Sequence, residues 1–193
     1  DVIATISKVT SDIVQNVSPE VEEKYLPHAV PMDVFKSAEP AKIKEIIEQN
    51  PKLEGKTIFF WNNRNARRKQ SGTLLYWFSE FLKQESIDNN KVCLLMHTDP
   101  ADPHGQPLEY LSESYGLKNG EVIFSKAKMG AKELAYLYSM AACTINIADA
   151  EGFGLATLES LSCETPIIVT MTGGLQEQVT DGEQWFGIGI EPA

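Results

Sequence analysis

Cysteine is scarce in this chain: Cys93, Cys143 and Cys163 are the only three in 193 residues. Each lies in an apolar context, no pair has metal-ligand spacing, and none has a basic neighbour in sequence. The reading is reduced, buried thiols in a cytoplasmic protein, not a disulfide framework, a metal site or a thiol nucleophile. Long apolar runs are missing as well, which excludes a membrane-spanning helix, and the start shows no signal-peptide pattern. Positive charge is in deficit, with 17 Lys and Arg against 27 Asp and Glu and a net charge of −10 at pH 7. That argues against nucleic-acid partners and anionic membranes, while a locally basic spot can still take an anionic ligand. No G-x-G-x-x-G follows the first strand of the main alternating pattern, which weakens the case for a nicotinamide dinucleotide. Internal repeats are also absent.

What is present is alternation. Strand patterns fall at 57–61, 92–97, 122–124, 144–148, 167–169 and 186–190, and helical patterns at 41–49, 72–85, 108–115, 131–142 and onward from Leu155. Strand and helix taking turns is the signature of an α/β doubly wound domain with a mostly parallel sheet, a Rossmann-like architecture. Ligands of such sheets bind at the carboxyl ends of the strands.

One stretch dominates that edge. Thr144-Ile145-Asn146-Ile147-Ala148 leads to Glu151-Gly152-Phe153-Gly154, after which Leu155, Leu158 and Leu161 recur at helical spacing until Pro166. A helix N-terminus carries unpaired backbone N–H groups and partial positive charge, and two glycines clear the approach of an anion. Glu151 precedes the helix and Glu159 lies inside it. Helical side chains lean toward the N-terminus, so Glu159 is expected to point back at the same opening. Carboxylates on either side of an anion site suit hydroxyls flanking a diphosphate, the layout of a sugar nucleotide. Two glutamates alone would read as a loop carboxylate and a solvated helix face.

The full string decides between those readings. From Glu151 through Thr165-Pro166 to Thr172-Gly173-Gly174-Leu175, Glu177 and Val179, it resembles the E-x7-E region of retaining glycosyltransferases of the GT-B fold, family 4 in particular. The resemblance implies that Glu151 contacts donor-sugar hydroxyls, that Gly152, Phe153, Gly154 and Leu155 present the helix end to sugar or phosphate, and that Glu159 holds the ribose. Glu164 stands where the family commonly has glycine, which bears on the helix C-cap.

A basic cluster, Arg64, Arg67, Arg68 and Lys69, follows the strand at 57–61. By itself it reads as a solvated charge run. The family carries G-R…K-G here, which implies that Arg64 and Lys69 neutralise the leaving diphosphate, with Arg67 or Arg68 sharing the contact. Asn63 and Gln70 replace the two glycines. The loop from Ser125 to Gly130, with Lys126, is implied at the base. Thr172 opens a second turn that reads equally as an anion site or as an ordinary tight turn, and Glu177 matches a glutamate more often structural than catalytic. Asp99, Asp102 and His104 lie among prolines and read as a plain loop, with no metal site.

Residues 1–35 are expected to be the end of an N-terminal domain and a hinge, and 36–193 the C-terminal donor-binding domain. The chain begins with Asp, which suggests a fragment, and residues 2–7 would have to pair elsewhere or fray. His28 reads as a linker histidine. The expected function is the donor-binding half of a metal-independent retaining glycosyltransferase that needs no cofactor. Its partners would be a UDP- or GDP-linked sugar and an acceptor held by the absent half, so the fragment would bind nucleotide and turn over little. The alternative is a non-catalytic nucleotide-sugar-binding module acting through a partner chain.

Overall fold

The computed structural model describes residues 2–192. The chain opens with a small β-α-β unit. Strand β1 (Val2–Thr5) and strand β2 (Glu22–Tyr25) pair in parallel around helix α1 (Lys8–Val17). Ser7 caps α1, its hydroxyl accepting from the Thr10 N–H at 3.3 Å, which satisfies one of the orphan donors of the first turn. The expected strand at the start therefore neither frays nor joins the main sheet. Its partner, β2, was not foreseen, because Glu22, Glu23 and Lys24 carry no strand-like apolar pattern.

Residues 26–39 contain no helix or strand. Phe35 anchors this segment in the core, its ring 6.3 Å from that of Tyr138. Helix α2 (Pro40–Gln49) then begins on a proline, which suits a first turn whose N–H groups have no partner.

The main sheet alternates strand and helix: β3 (Thr57–Asn62), α3 (Ser71–Leu82), β4 (Val92–His97), α4 (Leu108–Ser114), β5 (Val122–Ser125), α5 (Ala131–Met140), β6 (Cys143–Asn146), α6 (Leu155–Ser162), β7 (Ile167–Thr170), α7 (Leu175–Val179) and β8 (Gly187–Ile190). All six strands are parallel, in the order β5-β4-β3-β6-β7-β8. This is the doubly wound fold expected from the alternation, with some elements one to three residues shorter than the patterns suggested. The pleat sends β3 side chains to two cores. Phe59 and Trp61 meet Leu74, Leu75 and Phe78 of α3, while Ile58 and Phe60 meet Leu137 and Tyr138 of α5.

The order of strands reverses between β3 and β6. The helices after these two strands pack on opposite faces of the sheet, and the loops that lead to them border a crevice, the place where open α/β sheets bind ligands.

Two residues adopt a left-handed backbone without being glycine among the described residues: Gln70 (φ 53°) and Glu164 (φ 61°). They are two of the three positions named above where the related pattern carries glycine. Glu164 follows the Cys163 C-cap of α6, the place where helices commonly end on a left-handed glycine.

Candidate functional site

The β3–α3 loop and the β6–α6 loop meet at the crevice. A short 3-10 turn, Arg67–Lys69, brings Lys69 back under the sheet edge, where it is 7% exposed. Its ammonium pairs with the Glu151 carboxylate, 82 positions away in the chain. Burial pulls the Lys69 pKa down from the ordinary lysine value, and the hydrogen bond and charge of Glu151 oppose that pull. Arg68 backs the pair, donating to the Ala150 carbonyl at 2.9 Å and lying 3.8 Å from the Glu151 carboxylate.

Beyond Glu151 the chain turns into α6 at Gly154, whose φ of 93° no side chain would favour. A buried polar clasp holds that turn. Gln178 donates to the carbonyls of Phe153 (2.7 Å) and Gly154 (3.2 Å), and Thr157 donates to Gln178 at 2.6 Å. From the other side Gly173 lies so close that a Cβ there would sit 1.9 Å from the Glu151 carbonyl oxygen. The turn at Thr172 thus packs the Glu151 loop into place. The Gly174 N–H donates to Glu151 O at 3.1 Å, and the Thr172 hydroxyl donates to Asp149 O at 3.2 Å.

A cavity of about 320 Å³ opens here, lined by Asn63, Lys69, Asn146, Glu151, Gly152, Phe153, Gly154, Leu155 and Ala156, with Ile6 and His28 closing it from the N-terminal segment. The structure brings together most of the predicted residues in this place. His28 is more than a linker residue: its ring meets Phe153 edge-on at 5.1 Å. Glu177 fastens the N-terminal unit, its carboxylate accepting from the N–H groups of Lys8 and Val9 and, at 3.0 Å, from the Tyr25 hydroxyl.

Four predicted residues lie outside this lining: Thr172, in the turn behind Glu151, and Arg64, Lys126 and Glu159. Arg64 turns outward to Asp102, with Nε 2.7 Å from Oδ2, and to His104 at 2.9 Å. Arg64 in turn holds the Asp102 carboxyl well below the usual carboxylate range. The loop read as plain therefore supplies a counter-ion. Arg64 lines a neighbouring cavity of about 340 Å³ with Asn63, His97, Thr98, Ser125 and Lys126, and Lys126 pairs with Glu109 at 2.6 Å. The Glu159 side chain does not line the cavity of about 320 Å³. Its Oε2 accepts from the buried Tyr138 hydroxyl at 2.7 Å, and Tyr138 in turn accepts from the Asn62 amide at 2.8 Å. A buried phenol needs a partner, and burial raises the Glu159 pKa against that hydrogen bond. Sequence reasoning missed Tyr138, Gln178, Asp102 and Asn146. Asn146 alone left a signal, a polar residue in the middle of an apolar strand.

Comparison with known proteins fits this geometry. A family profile described as "Glycosyl transferases group 1" matches residues 42–192. Among curated relatives, the chain is 23% identical over 154 residues to a D-inositol 3-phosphate glycosyltransferase of Frankia alni, covering 79% of this chain and 37% of that protein. Among solved structures it superposes on sucrose-phosphate synthase of Thermosynechococcus elongatus with a TM-score of 0.81 at 24% identity, over 100% of this chain and 45% of the other. It also superposes on HepE of Anabaena, solved with UDP and glucose, with a TM-score of 0.77 at 17% identity, over 99% and 49%. At these identities the superpositions establish the fold. The chain spans well under half the length of the curated relatives it matches. Among the described residues, no helix is long and apolar enough to cross a membrane, and no three His, Cys, Asp or Glu gather as a metal site.

Proposed function

Because the chain belongs to the glycosyl transferases group 1 family, we propose that it is the donor-binding half of a retaining glycosyltransferase that moves a sugar from a nucleoside diphosphate to an acceptor hydroxyl. The observation that carries this reading is the buried Lys69–Glu151 pair at the crevice, beside the backbone N–H groups that open α6. A diphosphate entering the cavity competes with Glu151 for the Lys69 ammonium. The displaced carboxylate then accepts hydrogen bonds from sugar hydroxyls. The α6 N-terminus and Lys69 stabilise the charge that builds on the leaving diphosphate, so cationic side chains do here what a metal does elsewhere. Arg64 joins them by exchanging Asp102 and His104 for phosphate oxygens. Glu159 keeps Tyr138 on Oε2 and offers Oε1 to the ribose, and the 125–130 loop, including Lys126, meets the base. UDP-glucose is the first donor to test, since a structural neighbour was solved with UDP and glucose.

Titration calorimetry of the chain with UDP, GDP and ADP and their common sugar conjugates tests the reading. We expect one nucleotide class to bind, unchanged by a chelator, and to weaken about tenfold or more in Lys69→Ala and in Glu159→Ala. Binding that survives both substitutions would place the donor elsewhere and overturn the assignment.

A further inference from the structure

We infer that Asn146 is a further donor-contacting residue whose carboxamide takes a hydroxyl of the transferred sugar; this rests on the donor-binding reading above. Asn146 is fully buried, and neither its Nδ2 nor its Oδ1 has a hydrogen-bond partner. Buried side-chain amides are nearly always bonded, and an unbonded one calls for an explanation.

The surroundings make the omission specific. Alternation along β6 puts Asn146 on the same face as Thr144, the face that α6 covers. There Thr144 accepts from Ser160 at 2.8 Å, Ser160 lies 3.0 Å from Thr165 O, and Thr157 and Gln178 satisfy one another. Every one of these neighbours is paired, and Asn146, two residues nearer the strand's carboxyl end, lines the cavity instead. Other orphaned atoms fall along the same edge: Asn63 Nδ2 and Thr98 Oγ1 both belong to residues lining the adjoining cavity.

The chemistry of the orphan selects its ligand. A carboxamide presents a donor and an acceptor side by side. A phosphate oxygen only accepts, so it would leave Oδ1 unmatched and would face the Glu151 carboxylate. A hydroxyl donates and accepts, so it satisfies both atoms, while Glu151 accepts a hydrogen bond from a neighbouring hydroxyl. Asn146 therefore reads the sugar, whereas Lys69 reads the diphosphate.

The test is calorimetry of the chain and of Asn146→Leu and Asn146→Ala with UDP, UDP-glucose, GDP and GDP-mannose, alongside thermal melts. We expect both variants to bind the bare nucleotide within about twofold of the parent, and to lose about tenfold on the sugar conjugate, the scale of one buried hydrogen bond. Asn146→Leu should also melt no lower than the parent, because it removes an unsatisfied buried amide. Monodeoxy donors add a second readout: removal of one hydroxyl weakens the parent and leaves Asn146→Leu unchanged. Unaltered sugar-conjugate affinity in both variants overturns the inference while sparing the donor-binding reading. So does a lower melting temperature in both, which would assign Asn146 a purely structural role. Failure of the parent to bind any nucleotide overturns the donor-binding reading and this inference with it.

Discussion

Lys69 and Arg64 stand five residues apart in one loop, yet they meet opposite circumstances. Lys69 is buried and faces a carboxylate that is itself 13% exposed, inside a cavity. The Arg64 side chain is 63% exposed and folds onto Asp102 and His104 from the solvent side. Both are ion pairs on the same sheet edge. Burial separates them: water screens the outer pair and lets it exchange partners at little cost, while the inner pair is shielded from water and has Arg68 as its further charged neighbour. The same loop thus holds one charge in reserve at its surface and commits another in its interior.

Removing one partner at a time sharpens that contrast. Lys69→Ala strands Glu151 in a poorly hydrated pocket with only Arg68 nearby, and should cost about 3 kcal/mol in urea unfolding. The double variant Lys69→Met/Glu151→Gln should recover most of it. Arg64→Ala should leave the urea midpoint almost unmoved and change only anion affinity. A loss of stability in Arg64→Ala comparable to that of Lys69→Ala would break the comparison.

The Glu151 side also depends on how closely β7–α7 presses against it. Gly173→Ala places a methyl group onto the Glu151 carbonyl at a left-handed φ, so it should lower stability by about 2 kcal/mol in thermal melts and weaken donor binding with it. At the far end of α6, away from the ligand edge, Glu164→Gly should raise stability by roughly 0.5–1 kcal/mol, since only left-handed strain is relieved there.

A smaller effect depends on pH. Burial raises the Glu159 pKa above its ordinary value, so the folded chain holds that proton more tightly than the unfolded one. Glu159 therefore disfavours folding once it ionises, above its ordinary value of 4.5, and this term disappears as pH falls below that value. Glu159→Gln should accordingly stabilise the chain at pH 7 and make no difference near pH 3.5. A gain of equal size at both pH values would show that packing, not charge, is responsible.

The legible parts of the molecule share a cause. β3, β4 and β7 are short apolar runs, and α3 and α5 carry apolar stripes, so periodicity alone locates them. The Glu151–Glu159 string marks its own turn and helix, because glycines and a following proline punctuate it. What escaped notice lacked a local pattern. β2 is made of Glu, Glu, Lys and Tyr, and is a strand only because β1 lies beside it. Tyr138 sits at a core-facing helical position, so nothing in the sequence separates a phenol bonded to Glu159 from an ordinary buried aromatic. Asp102 looked like one more acid in a proline-rich loop, and only its nearness to Arg64 gives it a task.

The sequence by itself determined the elements of the main sheet, their parallel winding and the turn into α6 at Gly154, because each follows from side-chain periodicity and backbone preference within a few residues. Tertiary structure alone decided the partnerships. Reversal of strand order between β3 and β6 set Lys69 against Glu151 across 82 positions. The packing of α5 on α6 turned Glu159 toward Tyr138. The face of β6 beneath α6 left Asn146 without a partner at the cavity. A chain with 27 acids and 17 bases offers many possible pairs. Which of them form, and which polar group is left unpaired, depends on distance and burial, and both exist only once the sheet and its helices have packed.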